Sequence, residues 1–116
     1  MLNDKKKRGA LAAAGWTEER EGNGFWTAPV GTAPPTAWST RRAFWFLIRG
    51  TASRALAAIG WDVAPEYVGG SGMSIGDHVL HEVKAPRFIT IRAALRREGL
   101  PSLADYEAAA CAKATP

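Results

Sequence analysis

The feature that most constrains this chain is a seven-residue segment that occurs twice. Residues 10–16 read ALAAAGW and residues 55–61 read ALAAIGW, which agree at six of seven positions. Alanine and leucine favour helix, and a glycine just past a helix end takes the left-handed conformation that terminates it. In that motif the next residue packs back on the final turn, here each tryptophan on the leucine five positions earlier. We therefore expect two helices that each end in a glycine turn closed by a tryptophan.

Two further blocks recur in the same order. Residues 28–29 (AP) match residues 85–86, and residues 39–44 (STRRAF) match residues 90–95 (TIRAAL) in arginine and alanine, with Ser replaced by Thr and Phe by Leu. The offset between the copies changes from block to block, so the connecting loops differ in length. The order of the three blocks predicts a degenerate internal repeat.

The segment after each tryptophan predicts a β-hairpin. In the first copy, residues 17–21 and 25–28 flank the turn Gly-Asn-Gly at 22–24. In the second copy, residues 61–67 and 79–83 carry alternating apolar positions on either side of a glycine-rich turn. Each copy thus supplies two short antiparallel strands.

Ser39 and Thr90 are suitable N-caps for the helices that follow. Ser102 and Asp105 have the spacing of a capping box at the start of a last helix. The sequence therefore predicts an α+β fold in which two α-β-β-α units form a small antiparallel sheet packed by helices. We expect a single domain over residues 1–116, with unit one at about 5–49, unit two at about 52–98 and a C-terminal helix at about 102–113.

The charge balance is mildly basic, with 15 Lys and Arg against 11 Asp and Glu. Such an excess permits contact with phosphate groups without requiring it. The sequence has no apolar run near the roughly 20 residues that span a bilayer. The single cysteine, Cys111, cannot form an internal disulfide. We therefore predict a cytoplasmic protein with no membrane contact.

The helix after Ser39 has one apolar face. At helical spacing Phe44, Leu47 and Ile48 lie together and should enter the core. With these three we expect the two repeated leucines, the two repeated tryptophans and Leu95 to be buried.

Another face of that helix carries the most informative residues. Arg41, Trp45 and Arg49 follow one another at spacings of four, with Arg42 and Phe46 close beside them. An aromatic ring between guanidinium groups suits nucleobases and phosphates, and equally suits a protein hot spot. The alternative is that Trp45 packs under the last helix while its arginine neighbours reach water.

The matching helix of the second copy is also basic. It carries Arg92, Arg96 and Arg97, and Lys84 and Arg87 come just before it. If a pseudo-twofold axis relates the two copies, the two basic helices present one continuous surface. The alternative is an ordinary helix face with solvated arginines.

The sequence shows no catalytic constellation and predicts no metal site and no cofactor. His78 and His81 are three apart on a predicted strand, so their side chains face opposite sides. Cys111 lies in an alanine-rich final helix without the surroundings that activate a thiol. A small hydrolase that uses the two histidines is the weakest of the hypotheses.

Residues 11–16 (LAAAGW), 24–29 (GFWTAP) and 39–44 (STRRAF) resemble segments of many short proteins of phages and mobile elements. The resemblance covers roughly the first half of the chain. It implies an accessory factor or an inhibitor of host defence, a class that includes anti-CRISPR proteins. That class shares neither a fold nor an active-site motif, so the resemblance assigns no residue roles. Inhibitors that mimic nucleic acid are often acidic, whereas this chain is basic.

These observations favour a non-enzymatic binding protein that engages nucleic acid or a nucleoprotein complex through its Arg/Trp helical faces, with no small-molecule substrate. The alternative is a phage-type inhibitor that binds a host defence protein through the same faces.

Overall fold

The computed structural model describes residues 3–30, 37–61, 78–80 and 88–114, and these residues form an α+β fold. The chain divides into two compact units, one made of Met1–Ile48 with Glu107–Pro116 and the other of Arg49–Tyr106. In chain order the elements are α1 (Asp4–Ala13), β1 (Thr17–Glu18), β2 (Phe25–Thr27), β3 (Trp38–Ser39), α2 (Thr40–Ala58), β4 (His78–Leu80), β5 (Phe88–Thr90), α3 (Ile91–Glu98) and α4 (Leu103–Ala114). The first three strands form an antiparallel sheet in the order β1-β2-β3, and β4 pairs antiparallel with β5.

Both predicted glycine turns are present. Gly15 and Gly60 have φ angles of +91° and +103°. After each glycine the tryptophan N–H donates to the carbonyl of the leucine five positions earlier, at 3.0 Å for Trp16 and 3.1 Å for Trp61. The glycine N–H donates to the carbonyl three positions earlier, which completes a Schellman motif. The same geometry ends α3 at Gly99, a third instance that the repeat did not predict.

The predicted helix starts are confirmed by hydrogen bonds. The Ser39 hydroxyl oxygen accepts the N–H of Arg42 at 3.2 Å, and the Thr90 hydroxyl oxygen accepts the N–H of Ala93 at 3.1 Å. At α4 the capping box is reciprocal: the Ser102 N–H donates to Asp105 at 3.0 Å, and the Asp105 N–H donates to the Ser102 hydroxyl at 3.1 Å.

The first hairpin forms where the sequence predicted it, with shorter strands. A strand that the sequence did not indicate, β3, extends this sheet and leads directly into α2. At that junction the buried indole N–H of Trp26 donates to the Thr40 hydroxyl oxygen at 2.9 Å. The same hydroxyl and the backbone N–H of Thr40 both donate to the carbonyl of Gly24, at 3.3 and 3.0 Å. These three hydrogen bonds fix the first residue of α2 against the hairpin.

The two strand pairs have the same relation to the helices that follow them. Phe25 pairs with Ser39 just before α2, and His78 pairs with Thr90 just before α3. Ser39 and Thr90 are equivalent positions of the repeated block, so the backbone register agrees with the sequence match. The predicted second hairpin, at residues 61–67 and 79–83, lies largely outside the described residues. Its return strand overlaps β4, whose observed partner is the unpredicted strand β5.

Helix α2 is continuous from Thr40 to Ala58. The predicted boundary between the repeat units, near residues 50 and 51, therefore falls inside one helix. Gly50 lies in the helix interior, where a glycine costs only about 1 kcal/mol relative to alanine. A cost of that size does not break a helix that tertiary packing holds on both sides of the glycine. The division into repeat units stays a prediction.

The expected core is confirmed except at one position. Phe44, Ile48 and Leu95 are buried, as are the two repeated leucines and the two repeated tryptophans. Leu47 is only half-buried, so the prediction that it enters the core was wrong. Phe46, which the helical pattern placed on the outer face, is buried at 7% exposure.

Glu18 holds the hairpin to α1 in the first unit. Its carboxylate oxygen Oε2 accepts the Gly24 N–H at 2.8 Å and the Arg8 guanidinium at 2.7 Å. The backbone hydrogen bond from Gly24, with smaller contributions that include Arg8, lowers the pKa of Glu18 despite some desolvation. Two members of the basic run at residues 5–8 have partners inside the protein. Besides Arg8, the Lys7 ammonium lies 5.9 Å from the centre of the Phe44 ring.

Replacing glycine by alanine should change the free energy of unfolding in opposite directions at Gly50 and Gly60 of the second unit. A Cβ at Gly60 meets no atom within 4 Å, but its φ of +103° is unfavourable for any other residue. We expect Gly60→Ala to lower the free energy of unfolding by about 1–2 kcal/mol. A Cβ at Gly50 meets Arg54 at an ordinary 3.6 Å inside a helix, so Gly50→Ala should raise that free energy by about 0.5–1 kcal/mol. Urea denaturation of both variants measures the difference, and effects of equal sign would contradict the helix assignment.

The Glu18 contacts predict a pH-dependent contribution to stability. A carboxylate with a lowered pKa stabilises the fold above its unfolded value of about 4.3, and the contribution disappears as pH falls through the lowered folded value. Glu18→Gln should therefore be less stable than the wild type at pH 7, and the difference should shrink toward pH 3. Arg8→Gln keeps the Gly24 hydrogen bond and should show a smaller difference at pH 7. If Glu18→Gln lost the same free energy of unfolding at pH 7 and at pH 3, the ionised carboxylate would have no role in stability.

Candidate functional site

The first turns of α2 hold three of the predicted binding residues of the first unit. Arg41 and Arg42 are exposed and Trp45 is half-buried. At 3.6 residues per turn the three lie within an arc of roughly 100° around the helix axis. Arg49, also half-buried, lies one turn further along the same helix, in the second unit. Trp45 is therefore partly accessible, and the alternative that it packs under the last helix stays a prediction.

Two tryptophans of the first unit contact one buried phenylalanine. The ring centre of Trp38 lies 4.6 Å from that of Phe46, with 61° between the ring planes. The ring of Trp45 lies 5.2 Å from Phe46 at 88°. Both tryptophans are half-buried, so each keeps part of its surface accessible. Edge-to-face contacts of this kind stabilise the pair by about 0.5–1.5 kcal/mol beyond burial and fix the rings in place.

The arginines stand beside these rings. The guanidinium carbon of Arg42 lies 5.9 Å from the centre of the Trp38 ring, within the range of a cation–π interaction. Arg41 is its exposed neighbour and makes no ion pair within the described ranges. We name this group the aromatic–arginine cluster and define it as Trp38, Arg41, Arg42, Trp45 and Phe46.

The local structure explains why the cluster forms at this place. Trp38 begins β3 and pairs with Trp26 across the sheet. Ser39 then caps the helix, so that the arginines stand on its first turn. The sequence prediction missed Trp38 because a two-residue strand gives no periodicity. Its position next to a helix cap, four residues before Arg42, was the signal that could have found it.

The electrostatic environment of the cluster is positive. The first turn of α2 contains no acidic residue. A helix N-terminus carries partial positive charge, so arginine there is unfavourable by about 0.3–1 kcal/mol. The structure gives Arg41 no carboxylate that would offset this cost within the part of the chain that it describes.

The second group of predicted residues lies on α3. Arg92, Arg96 and Arg97 are all exposed. Arg97 lies over the buried Trp61, with 5.9 Å from the guanidinium carbon to the ring centre. Arg92 and Arg96 face a cavity of the second unit instead. Lys84 and Arg87 lie outside the described residues, and a surface continuous between the two basic helices stays a prediction.

Of the residues considered for catalysis, the structure describes Cys111 and the backbone of His78. His78 begins β4, and His81 lies outside the described residues. The Cys111 thiol is half-buried, 3.9 Å from the backbone carbonyl oxygen of Lys6, and burial is the main cause that raises its pKa. Among the described residues there is no group of three or more His, Cys, Asp or Glu that could hold a metal ion. None of the helices described is long and apolar enough to cross a membrane.

Comparison of the chain with protein-family models, with curated proteins and with solved structures gives no match, so the candidate site must be interpreted from its own geometry.

Proposed function

We propose that this protein is a non-enzymatic, cytoplasmic binding protein that engages single-stranded nucleic acid, alone or in a nucleoprotein complex, through the aromatic–arginine cluster. One observation carries the proposal. Two half-buried tryptophans rest on one buried phenylalanine, with two arginines exposed beside them.

The aromatic half of the cluster suits unpaired bases. Every base has a flat face, and stacking on an aromatic side chain contributes about 1–3 kcal/mol per base. In a duplex these faces are covered by the neighbouring base pairs, whereas a single strand presents them. Trp38 and Trp45 both retain accessible surface and flank the same support.

The support makes the site preorganised. Phe46 is buried and in contact with both tryptophans, so neither ring has to become ordered when a ligand binds. Immobilising a mobile side chain on binding costs about 0.5–1.5 kcal/mol. A fixed pair of rings avoids much of that cost.

The cationic half of the cluster suits phosphate. Arg41 and Arg42 stand at the helix end where positive charge is unfavourable, and the turn has no acidic residue. A phosphate group would form charge-assisted hydrogen bonds with their guanidinium groups and remove this penalty. Further positive charge on the predicted binding residues outside the cluster would strengthen the attraction at long range. Those residues are Arg49, Lys84, Arg87, Arg92, Arg96 and Arg97.

A protein partner is the competing interpretation. Tryptophan and arginine are the residues most enriched at protein hot spots. The resemblance to phage proteins implies this case in the form of an inhibitor of host defence. The two interpretations differ in how strongly binding depends on salt and in whether the partner is lost when nucleic acid is digested.

Removing the two arginines should weaken the salt dependence of binding. For single strands the slope of log K against log salt is about −0.7 per phosphate contact. Arg41→Ala/Arg42→Ala should therefore flatten the slope by up to about 1.4, as measured by fluorescence anisotropy with a labelled oligonucleotide. Lys5→Ala/Arg20→Ala removes two exposed charges of the same unit outside the cluster. This control should leave the slope nearly unchanged, and equal slopes for the two double variants would contradict the proposed contacts.

Removing one tryptophan should lower affinity with little change in slope. Trp45→Ala loses a stacking surface and should weaken binding of an oligonucleotide by about 1–3 kcal/mol, measured at constant salt. Phe25→Ala is the matched control, because Phe25 is an exposed aromatic residue of the same unit outside the cluster. Thermal unfolding of both variants checks that the fold is retained.

The result that would overturn the proposal is an absence of measurable affinity for single-stranded DNA or RNA at low salt. A protein partner that is retained from host lysate after nuclease treatment, and lost with Trp45→Ala, would then support the inhibitor interpretation.

A further inference from the structure

A cavity of about 390 Å³ lies in the second unit, where α3 ends and α4 begins. Its volume is within the range of about 300–1,000 Å³ that is usual for small-molecule sites. The residues that line it combine two arginines, an acidic and a hydroxyl side chain, three leucines and a glycine. They are Arg92, Leu95, Arg96, Gly99, Leu100, Ser102, Leu103 and Asp105.

One wall of the cavity is cationic. Arg92 and Arg96 are four residues apart on α3, which places their Cβ atoms about 5–6 Å from each other on one side of the helix. Both are exposed, and neither makes a hydrogen bond or an ion pair with other described residues. Two guanidinium groups at this spacing offer converging donors for the oxygens of one phosphate group.

The other polar residues of the lining, Ser102 and Asp105, have a different chemistry. The backbone N–H groups of Ser102 and Asp105 are used in their reciprocal capping box, so they are not available to an anion. One carboxylate oxygen of Asp105 accepts the Ser102 N–H, and the carboxylate can still accept from a hydroxyl or amino group. An anion therefore belongs at the arginine wall, with a hydrogen-bond donor of the same ligand toward Asp105.

The leucines of the lining are its apolar part. Leu95 and Leu103 are buried at 1% and 4% exposure, so among the leucines it is the half-buried Leu100 that offers accessible apolar surface. A bare phosphate ion would leave this apolar surface uncovered. A ligand that carries a phosphate on a flat, partly apolar body would cover it.

We propose that this cavity binds a nucleotide, with its phosphate between Arg92 and Arg96 and its sugar or base over Leu100 toward Asp105. The ligand chemistry is shared by a free mononucleotide and by one nucleotide of a strand. The choice of ligand class rests on the proposed function, whereas the residues of the site are separate from the aromatic–arginine cluster.

The test is a titration of the full-length, isotope-labelled protein with adenosine 5′-monophosphate. The amide NMR signals of Gly99, Leu100 and Ser102 should shift in a saturable way. Adenosine alone and inorganic phosphate alone should each bind at least about tenfold more weakly, since each lacks half of the recognised groups. A ligand that leaves these amides unshifted, or adenosine that binds as tightly as the nucleotide, would overturn the proposal. Equal binding of inorganic phosphate would overturn the nucleotide assignment.

Variants locate the site on α3. Arg92→Ala/Arg96→Ala should weaken nucleotide binding by at least about tenfold. Arg54→Ala removes an exposed arginine of the same unit outside the cavity and should bind as the wild type does. If Arg54→Ala weakened nucleotide binding as much as Arg92→Ala/Arg96→Ala, the assignment of the site to this cavity would be contradicted.

A further pair of measurements separates this inference from the proposed function. Arg41→Ala/Arg42→Ala should leave the nucleotide-induced shifts of the Gly99, Leu100 and Ser102 amides unchanged, because these amides report on the cavity and not on the cluster. If the nucleotide binds here while oligonucleotides show no affinity, the proposed function fails and this site stands. If oligonucleotides bind and shift the same three amides, the source of the nucleotide is a strand. If they bind through the cluster and the nucleotide does not bind, only this inference fails.

Discussion

The hydrogen bond from the Trp26 indole to the Thr40 hydroxyl is the point on which the first unit depends. It is buried and 2.9 Å long, and the same hydroxyl donates to Gly24. Removing one partner of a buried hydrogen bond leaves the other unsatisfied, which costs about 1–3 kcal/mol. Trp26 also pairs with Trp38 across the sheet. The hydrogen bond to Thr40 therefore helps to fix the position of Trp38, which belongs to the candidate site. The sheet, the helix start and the cluster are therefore positioned together.

The five tryptophans divide into two sets with different roles. Trp16, Trp26 and Trp61 are buried at 6%, 4% and 4% exposure and hold the turns and the sheet. Trp38 and Trp45 are half-buried and flank Phe46. Hydrophobic burial alone would favour covering all five rings. The two rings that stay accessible share the support of one buried phenylalanine and have exposed arginines near them, and this combination is the reason to assign them to binding.

The two basic helices differ in chemistry although their sequences match. The repeated block aligns Arg41 with Arg92 and therefore Trp45 with Arg96. The α2 position supports an aromatic ring, whereas the α3 position places a second guanidinium at a cavity. We therefore propose that α2 contributes an aromatic stacking surface and positive charge to binding, whereas the α3 side chains contribute positive charge.

Local features of the fold could be predicted from the sequence because each depends on a few adjacent residues. The glycine turns, the helix caps at Ser39 and Thr90 and the first hairpin are of this kind. The burial of Phe46 could not be predicted, because it depends on Trp38, which lies on a strand too short to show periodicity.

Only the helical part of the candidate site could be predicted, because only that part depends on a local sequence pattern. Its helical residues follow from the spacing of four, and Trp38 enters it only through the sheet. The cavity beside Arg92 and Arg96 needed the packing of α3 and α4, which no local pattern contains.

The most direct test of the central claim is the NMR spectrum of the five tryptophan indole N–H groups during titration with a single-stranded oligonucleotide. The account predicts that the signals of Trp38 and Trp45 shift together and saturate, while those of Trp16, Trp26 and Trp61 stay in place. The three buried rings act as internal controls in the same sample. Saturable binding that leaves Trp38 and Trp45 unshifted would contradict the claim that the aromatic–arginine cluster is the binding site.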